Sequence, residues 1–351
     1  MSNEHSIVNF LKGSGVQLRI LDMGRRIEKI TSQQFFKIEQ GHTPYPLPYL
    51  HQAWIALLLW NPKNKSQNAV WFLKLPLDEQ GFLVQAARDD IMNRLLQNIQ
   101  FAQGDLTENQ DALKDNPFVF KPDQEKMAAF HAIANQQIGL EASAAYPEVL
   151  NYLKGDLQSD TWQSLSLQGI ADFVTRLDEG RNEALLTEAI ANLPLPVLTP
   201  TCVCLEHAQP SNECMSALNQ RLESYLADSD TDSAVIAALL RGLSNGQDQA
   251  LKNQLLTKVL STPFGTKAEV LVTVATRYVD SLRFPDTLLA FLEALAKGES
   301  GQAGFSRILA DLMFMPDLRA LVLHSFRNPN RSEALTTAIG EMFGDGIAKG
   351  H

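Results

Sequence analysis

Trp54-Ile55-Ala56-Leu57-Leu58-Leu59-Trp60, then Asn61-Pro62-Lys63-Asn64-Lys65-Ser66-Gln67-Asn68, then Ala69-Val70-Trp71-Phe72-Leu73-Lys74-Leu75 is the stretch that decides the N-terminal fold. Each apolar run has seven residues, too short for a buried helix and bounded by turn chemistry. Such runs predict strands covered on both faces. The polar stretch between them predicts a loop, and the whole reads as a central antiparallel hairpin.

Working outward, Val16, Leu18 and Ile20 alternate with Gln17 and Arg19 as in a half-buried strand. A turn at Met23-Gly24-Arg25 leads to a short second strand over residues 26–30. Ile7, Val8, Phe10 and Leu11 have helical spacing, and Gly13-Ser14-Gly15 stops that helix. Thr31 is placed to cap a helix over residues 32–40, which Gly41 ends. Alternate prolines in Thr43-Pro44-Tyr45-Pro46-Leu47-Pro48 force extended backbone. From Phe82 to Gln103 the apolar period becomes helical, over about six turns. Asp90 and Arg94 are spaced to pair on its polar face.

Gly104 to Lys121 is polar and aperiodic and predicts a linker. Pro122 suits the first turn of the next helix. Beyond about residue 140 only helical periods occur, punctuated by Pro194, Pro263, Pro285 and Pro316. Residues 182–193 with 197–207, 234–243 with 251–260, and 268–279 with 288–295 read as helix pairs. The unit of roughly 30–45 residues falls in the range of HEAT and armadillo repeats. The expected fold is therefore α+β. Residues 1–103 form a small antiparallel sheet with flanking helices. A linker over 104–121 follows, then an all-helical HEAT/armadillo-like repeat array over 122–351.

Composition excludes several classes. Hydrophobic residues make up 45% and charged residues 20% of the chain, so it can build a core and is not disordered. The longest apolar run is about a third of the roughly 20 residues a membrane helix needs, so no membrane span is expected. Met1-Ser2-Asn3-Glu4-His5 lacks the basic start of a secretory signal. The 3 cysteines, Cys202, Cys204 and Cys214, lie in one stretch. That odd count argues for a reducing compartment, with cytoplasm the default. The net charge is −10, and residues 122–351 carry 17 basic against 28 acidic side chains. Such a surface repels phosphate backbones and argues against a nucleic-acid partner.

Three chemical motifs fail on their context. Gly242-Leu243-Ser244-Asn245-Gly246 spells a nucleophile elbow, yet a helix rather than a strand runs into it. Residues 228–233 open like a calcium loop, but Ser233 and Leu239 occupy the glycine and glutamate positions. Cys202, Cys204, His207 and Cys214 offer four zinc ligands. Helical residues two apart point about 200° from each other, so Cys202 and Cys204 cannot share a metal unless the helix breaks. The remaining histidines are scattered. No dinucleotide, Walker A, H-E-x-x-H or C-x-x-C motif occurs. Neither metal nor cofactor is expected.

Distinctive polar residues lie in the first hundred positions. Asp22, Arg25 and Arg26 flank the first turn, and Asp78 and Glu79 follow the strand ending at Leu75. Strand ends on a rigid sheet commonly hold binding groups, which makes these five the candidate site. The structural alternative has Asp78 capping the long helix, Glu79 favouring its dipole, and the arginines solvating a hairpin tip.

Leu21-Asp22-Met23-Gly24-Arg25-Arg26, Gln52-Ala53-Trp54, Leu59-Trp60-Asn61, and the run from Trp71 to Gly81 together resemble a gammaproteobacterial family of unknown function. Its members are similar in length. The resemblance implies a bacterial cytoplasmic protein and brings no activity, cofactor or catalytic residue with it. The expected function is a non-enzymatic adaptor or scaffold: the helical array would meet an unidentified protein partner, and the N-terminal domain would be a second recognition module. The alternative is an enzyme or small-ligand domain with a polar site on the N-terminal sheet.

Overall fold

The computed structural model describes residues 6–13, 15–99, 116–155 and 159–348. The chain divides into two compact units, Met1–Glu141 and Ala142–His351.

The first unit is built on a sheet of four antiparallel strands. These are β1 (Gln17–Asp22), β2 (Glu28–Ile30), β3 (Gln52–Asn61) and β4 (Asn64–Pro76), in the order β2-β1-β3-β4. Helix α1 (Ile7–Gly13) precedes β1, α2 (Ser32–Glu39) follows β2, and α3 (Gln85–Ile99) follows β4. Thr31 caps α2, as the sequence predicts, and Gln34 closes a capping box with it. The expected hairpin is present, but its turn is only Pro62-Lys63, since Asn61 pairs with Asn64. The polar residues Lys65 to Asn68 continue the ladder instead of looping. Periodicity reports burial, and here the strand runs on past the buried part of the sheet.

Helix α4 (Gln124–Ile138), expected from the sequence to open the helical domain, packs on the sheet. Its Ala129, Phe130, Ala134 and Ile138 meet Leu21, Met23, Ala56, Leu58 and Trp60. Helices α1 and α2 pack against β1 and α3 against β4. Both faces are thus covered, which explains the unbroken apolar runs of β3 and β4. Phe130 is fully buried, and its truncation to alanine is expected to cost about 3–5 kcal/mol. Residues 104–115 of the expected linker lie outside the described residues. Residues 116–120 run along β4, where the Lys74 N–H donates to the Phe118 carbonyl at 2.7 Å and the Phe120 N–H to the Phe72 carbonyl at 3.1 Å.

Among the described residues, the second unit is helical throughout. Its helices are α5 (Tyr146–Leu153), α6 (Leu167–Thr175), α7 (Asn182–Ala189), α8 (Leu195–Leu205), α9 (Asn212–Leu226), α10 (Ser233–Leu243), α11 (Gln249–Leu260), α12 (Ala268–Arg277), α13 (Pro285–Ala296), α14 (Gly301–Met313), α15 (Pro316–Ser325) and α16 (Glu333–Ala348). Even-numbered helices pack in succession, α6 on α8, α8 on α10, α10 on α12, α12 on α14 and α14 on α16. Odd-numbered helices do the same from α5 to α9 and from α11 to α15. The result is two layers of stacked helices. Gly242 permits one close approach: a Cβ there would lie 3.1 Å from the Cys202 Cβ. Part of the apparent nucleophile elbow is thus a packing glycine between α10 and α8.

Candidate functional site

The turn between β1 and β2 is where three distant segments meet. The Met23 N–H donates to the Trp54 carbonyl at 2.7 Å, which continues the β1–β3 ladder into the turn. The Gly24 N–H donates to Asp22 Oδ1 at 2.8 Å. Lys126 of α4 donates from Nζ to the Met23 carbonyl at 2.7 Å and the Gly24 carbonyl at 2.6 Å. The Tyr45 hydroxyl, from the proline-rich segment, donates to Asp22 Oδ2. Arg25 Nε donates to the Pro48 carbonyl at 3.1 Å, and its guanidinium lies over the Tyr49 ring.

Asp22 and Arg25 are therefore buried, at 1% and 3% exposure. Arg25 does not simply solvate a hairpin tip, because the Pro48 carbonyl and the Tyr49 ring take it inward. Arg26 pairs loosely with Glu28 at 3.9 Å. Burial pushes the Asp22 carboxyl up to about 7 from 3.8, against the Tyr45 and Gly24 hydrogen bonds and the charge of Lys126. Glu28 adds to the rise. Burial, with Asp22 beside it, also raises the Tyr45 hydroxyl well above its ordinary range.

Asp78 and Glu79 sit apart from this turn. Asp78 Oδ1 accepts from the N–H groups of Gln80 and Phe82, both at 2.9 Å. It shapes its own turn rather than capping α3, which starts at Gln85. Glu79 is exposed. Tyr45 is the link between the two places, because its own N–H donates to the Gly81 carbonyl at 2.8 Å. The five candidates thus fall into two turns joined by Tyr45, a residue whose role nothing in its local sequence marks.

A cavity of about 450 Å³ opens beside the first turn. Asp22 and β2 residues Glu28, Lys29 and Ile30 line one side. Gln34, Lys37 and Ile38 of α2 line another, and Pro44, Pro46 and Leu47 close it. Asp78, Glu79, Arg25 and Arg26 do not line it. On the same side of the sheet, the buried Glu39 accepts from the Ser6 hydroxyl and from the Ile7 N–H at 2.8 Å, which ties α1 to α2. Burial raises its carboxyl too.

The second unit holds a different charge cluster. Glu206, fully buried at the end of α8, accepts from Arg241 Nε at 2.7 Å and Arg277 Nε at 2.8 Å, and from one further N–H of each. Burial opposes its charge, but Arg277, His207 and Arg241 hold its carboxyl well below the ordinary carboxylate range. Arg241 and Arg277 follow Glu206 by 35 and 71 residues. This ladder repeats with the helix pairs and ties α8, α10 and α12 at one end. That phase is the signal by which it could have been found.

Cys202, Cys204 and Cys214 are buried free thiols, and burial pushes Cys214 up to about 12. Among the described residues, no group of three or more His, Cys, Asp or Glu side chains is arranged to hold a metal ion. Ser244 is buried and donates to the Arg241 carbonyl at 2.7 Å, at the end of α10. Asp232 caps α10 through the Ala234 N–H, the capping role its position suggests. No helix among the described residues is long and apolar enough to cross a membrane.

No curated protein and no solved structure matches the chain. One family model, described as a protein of unknown function, matches residues 3–343. With nearly its whole length matched, the chain belongs to the DUF3549 family.

Proposed function

We propose that this protein is a non-enzymatic adaptor that binds a protein partner on its helical array and uses the N-terminal unit as a second recognition module. The observation that carries the reading is the two-layer stacking of α5 to α16, in which the even-numbered helices pack in succession from α6 to α16 and the odd-numbered ones from α5 to α9 and from α11 to α15. Such HEAT/armadillo-like solenoids present extended surfaces to partners, a support drawn from fold-level analogy. Phe284 adds a local feature. It is 46% exposed on a cavity of about 590 Å³ between α11 and α13, a usual form for an interface anchor. The free thiols favour a reducing compartment, so the proposed place of action is the cytoplasm.

In this reading Asp22, Arg25 and Arg26 hold the shape of the N-terminal module, and Asp78 with Glu79 shape the adjoining turn. A second reading, a small polar ligand bound at Asp22, draws on the cavity and on the raised Asp22 carboxyl. Against it stands the near-complete burial of Asp22, whose two oxygens already accept from Gly24 and Tyr45.

The test is to purify the full-length tagged chain from its native cell and identify the co-purifying protein by mass spectrometry. That protein is then made separately and mixed with the chain. A stoichiometric complex, lost in Phe284→Asp at unchanged melting temperature, supports the array reading. No complex from the purified components would end it.

A further inference from the structure

The two edges of the N-terminal sheet are treated differently. At the β4 edge, Phe72 and Lys74 turn their backbone groups outward, and residues 118–120 of the same chain bond to them. The β2 edge has no such cover: among the described residues β1 is its one ladder partner, and no other backbone group bonds to Lys29.

The direction of the free backbone groups follows from the register. The Met23 N–H donates to the Trp54 carbonyl, so odd-numbered positions along β1 face β3 and even-numbered ones face β2. Ile20 with Ile30, and Asp22 with Glu28, are then the hydrogen-bonded pairs of β1 and β2. Lys29, between them, turns its N–H and C=O away from the sheet.

Those outward groups meet the cavity of about 450 Å³. Glu28, Lys29 and Ile30 all line it, although successive strand residues point to opposite faces. Only a cavity along the strand's edge touches all three. The facing wall is one stripe of α2, Gln34, Lys37 and Ile38, at positions i, i+3 and i+4. A slot between a strand edge and a helix face is the shape that receives an extended chain by strand addition.

Charge selects the occupant. Glu28 is paired with Arg26 and Asp22 with Tyr45 and Gly24, whereas Lys29 and Lys37 form no ion pair with a described residue. Both lysines are exposed. The apolar parts of the lining are Ile30, Ile38, Leu47 and the rings of Pro44 and Pro46.

From this juxtaposition we propose that the β2 edge binds an extended acidic segment of a partner protein. The segment adds antiparallel to β2 through the Lys29 backbone. Apolar side chains at alternate positions enter between Ile30, Ile38 and Leu47, and the acidic ones between them turn to the face that carries the Lys29 side chain, while Lys37 on the α2 wall adds to the positive charge of the slot. The inference rests on the recognition role proposed for the N-terminal unit and makes it specific.

The experiment uses the full chain and three fluorescein-labelled octapeptides followed by anisotropy. One alternates valine with aspartate, one alternates valine with lysine, and the third is the acidic peptide with its backbone nitrogens methylated. Saturable binding of the acidic probe, at least tenfold tighter than either other probe, is expected. Lys29→Pro removes the outward N–H, a change edge strands tolerate, and is expected to abolish binding while the melting temperature holds. Should Lys29→Pro unfold the unit, Lys37→Glu serves in its place, with acidic-probe binding at least tenfold weaker. The proposal is overturned if the acidic probe does not saturate, if the basic or methylated probe binds as well, or if the folded variants bind like wild type. A partner still recovered through Phe284 would then leave the array reading standing without the groove.

Discussion

Replacing Asp22 by asparagine should remove a pH dependence that the fold builds into the N-terminal unit. The carboxyl is buried between the β1–β2 turn and Tyr45, and its pKa is raised from 3.8 to about 7. Between those two values the folded chain keeps a proton that the unfolded chain has lost. Stability from this group is therefore fully present below about pH 4 and is lost as pH rises through about 7. The full change is roughly 4 kcal/mol, at about 1.4 kcal/mol per pKa unit. Lys126, Glu28 and Tyr45 are the charged or titratable groups that act on Asp22, and none of them leaves in the variant. Glu39 contributes in the same direction in both proteins, so the informative quantity is the difference between them. Urea unfolding followed by tryptophan fluorescence suits the measurement. Trp54, Trp60 and Trp71 lie in β3 and β4, and only Trp162 lies in the second unit. The stability of Asp22→Asn relative to wild type should rise by roughly 4 kcal/mol from pH 4 to pH 8. A difference that stays constant over that range would mean that water reaches Asp22 and leaves it an ordinary carboxylate, contrary to its burial.

Glu206→Gln leaves two partly buried arginines without their carboxylate and should cost about 3–5 kcal/mol, or roughly 6–20 °C in melting temperature for a unit of this size. In wild type the same ladder should weaken only as pH falls below about 4.5, since the Glu206 carboxyl is held low. Leu50 and His51 form a two-residue turn with φ of 51° and 61°, a left-handed conformation that suits Asn-Gly. Leu50→Asn with His51→Gly should therefore stabilise by roughly 1–2 kcal/mol in thermal denaturation. If residues 104–115 are the linker, limited proteolysis cuts there well before 116–121, whose backbone is bonded to β4. Equal resistance of both stretches, read by mass spectrometry, would rule that out.

Much of this architecture was legible because it depends on local chemistry. Thr31, the runs of β3 and β4, and Asp232 at the start of α10 all act within a few residues of themselves. The misses share a different cause. Phe130 and Ile138 have the same helical spacing whether α4 packs on a sheet or on another helix, so periodicity could not assign its unit. The candidate residues Asp22 and Arg25 were visible as charges at a turn, but their burial was not. It depends on the Tyr45 hydroxyl and the Pro48 carbonyl, each 23 residues away, and a backbone carbonyl carries no letter of its own. Lys126 reaches the same turn from about a hundred residues on and reads in the sequence only as a charge near a helix start. Lys29 carries no signal at all, since what sets it apart is the direction of its backbone.

The outward direction of the Lys29 backbone can be measured directly. Amide hydrogen exchange at Lys29, read by NMR with and without the acidic octapeptide, reports on the open edge itself. The expected result is a fast-exchanging Lys29 amide in the free protein that slows at least tenfold when the probe is saturating, while Ile30 and Glu28, already paired to β1, change little. A Lys29 amide already protected in the free protein, or one that exchanges equally fast with the probe bound, would contradict an open β2 edge that recognises an extended chain.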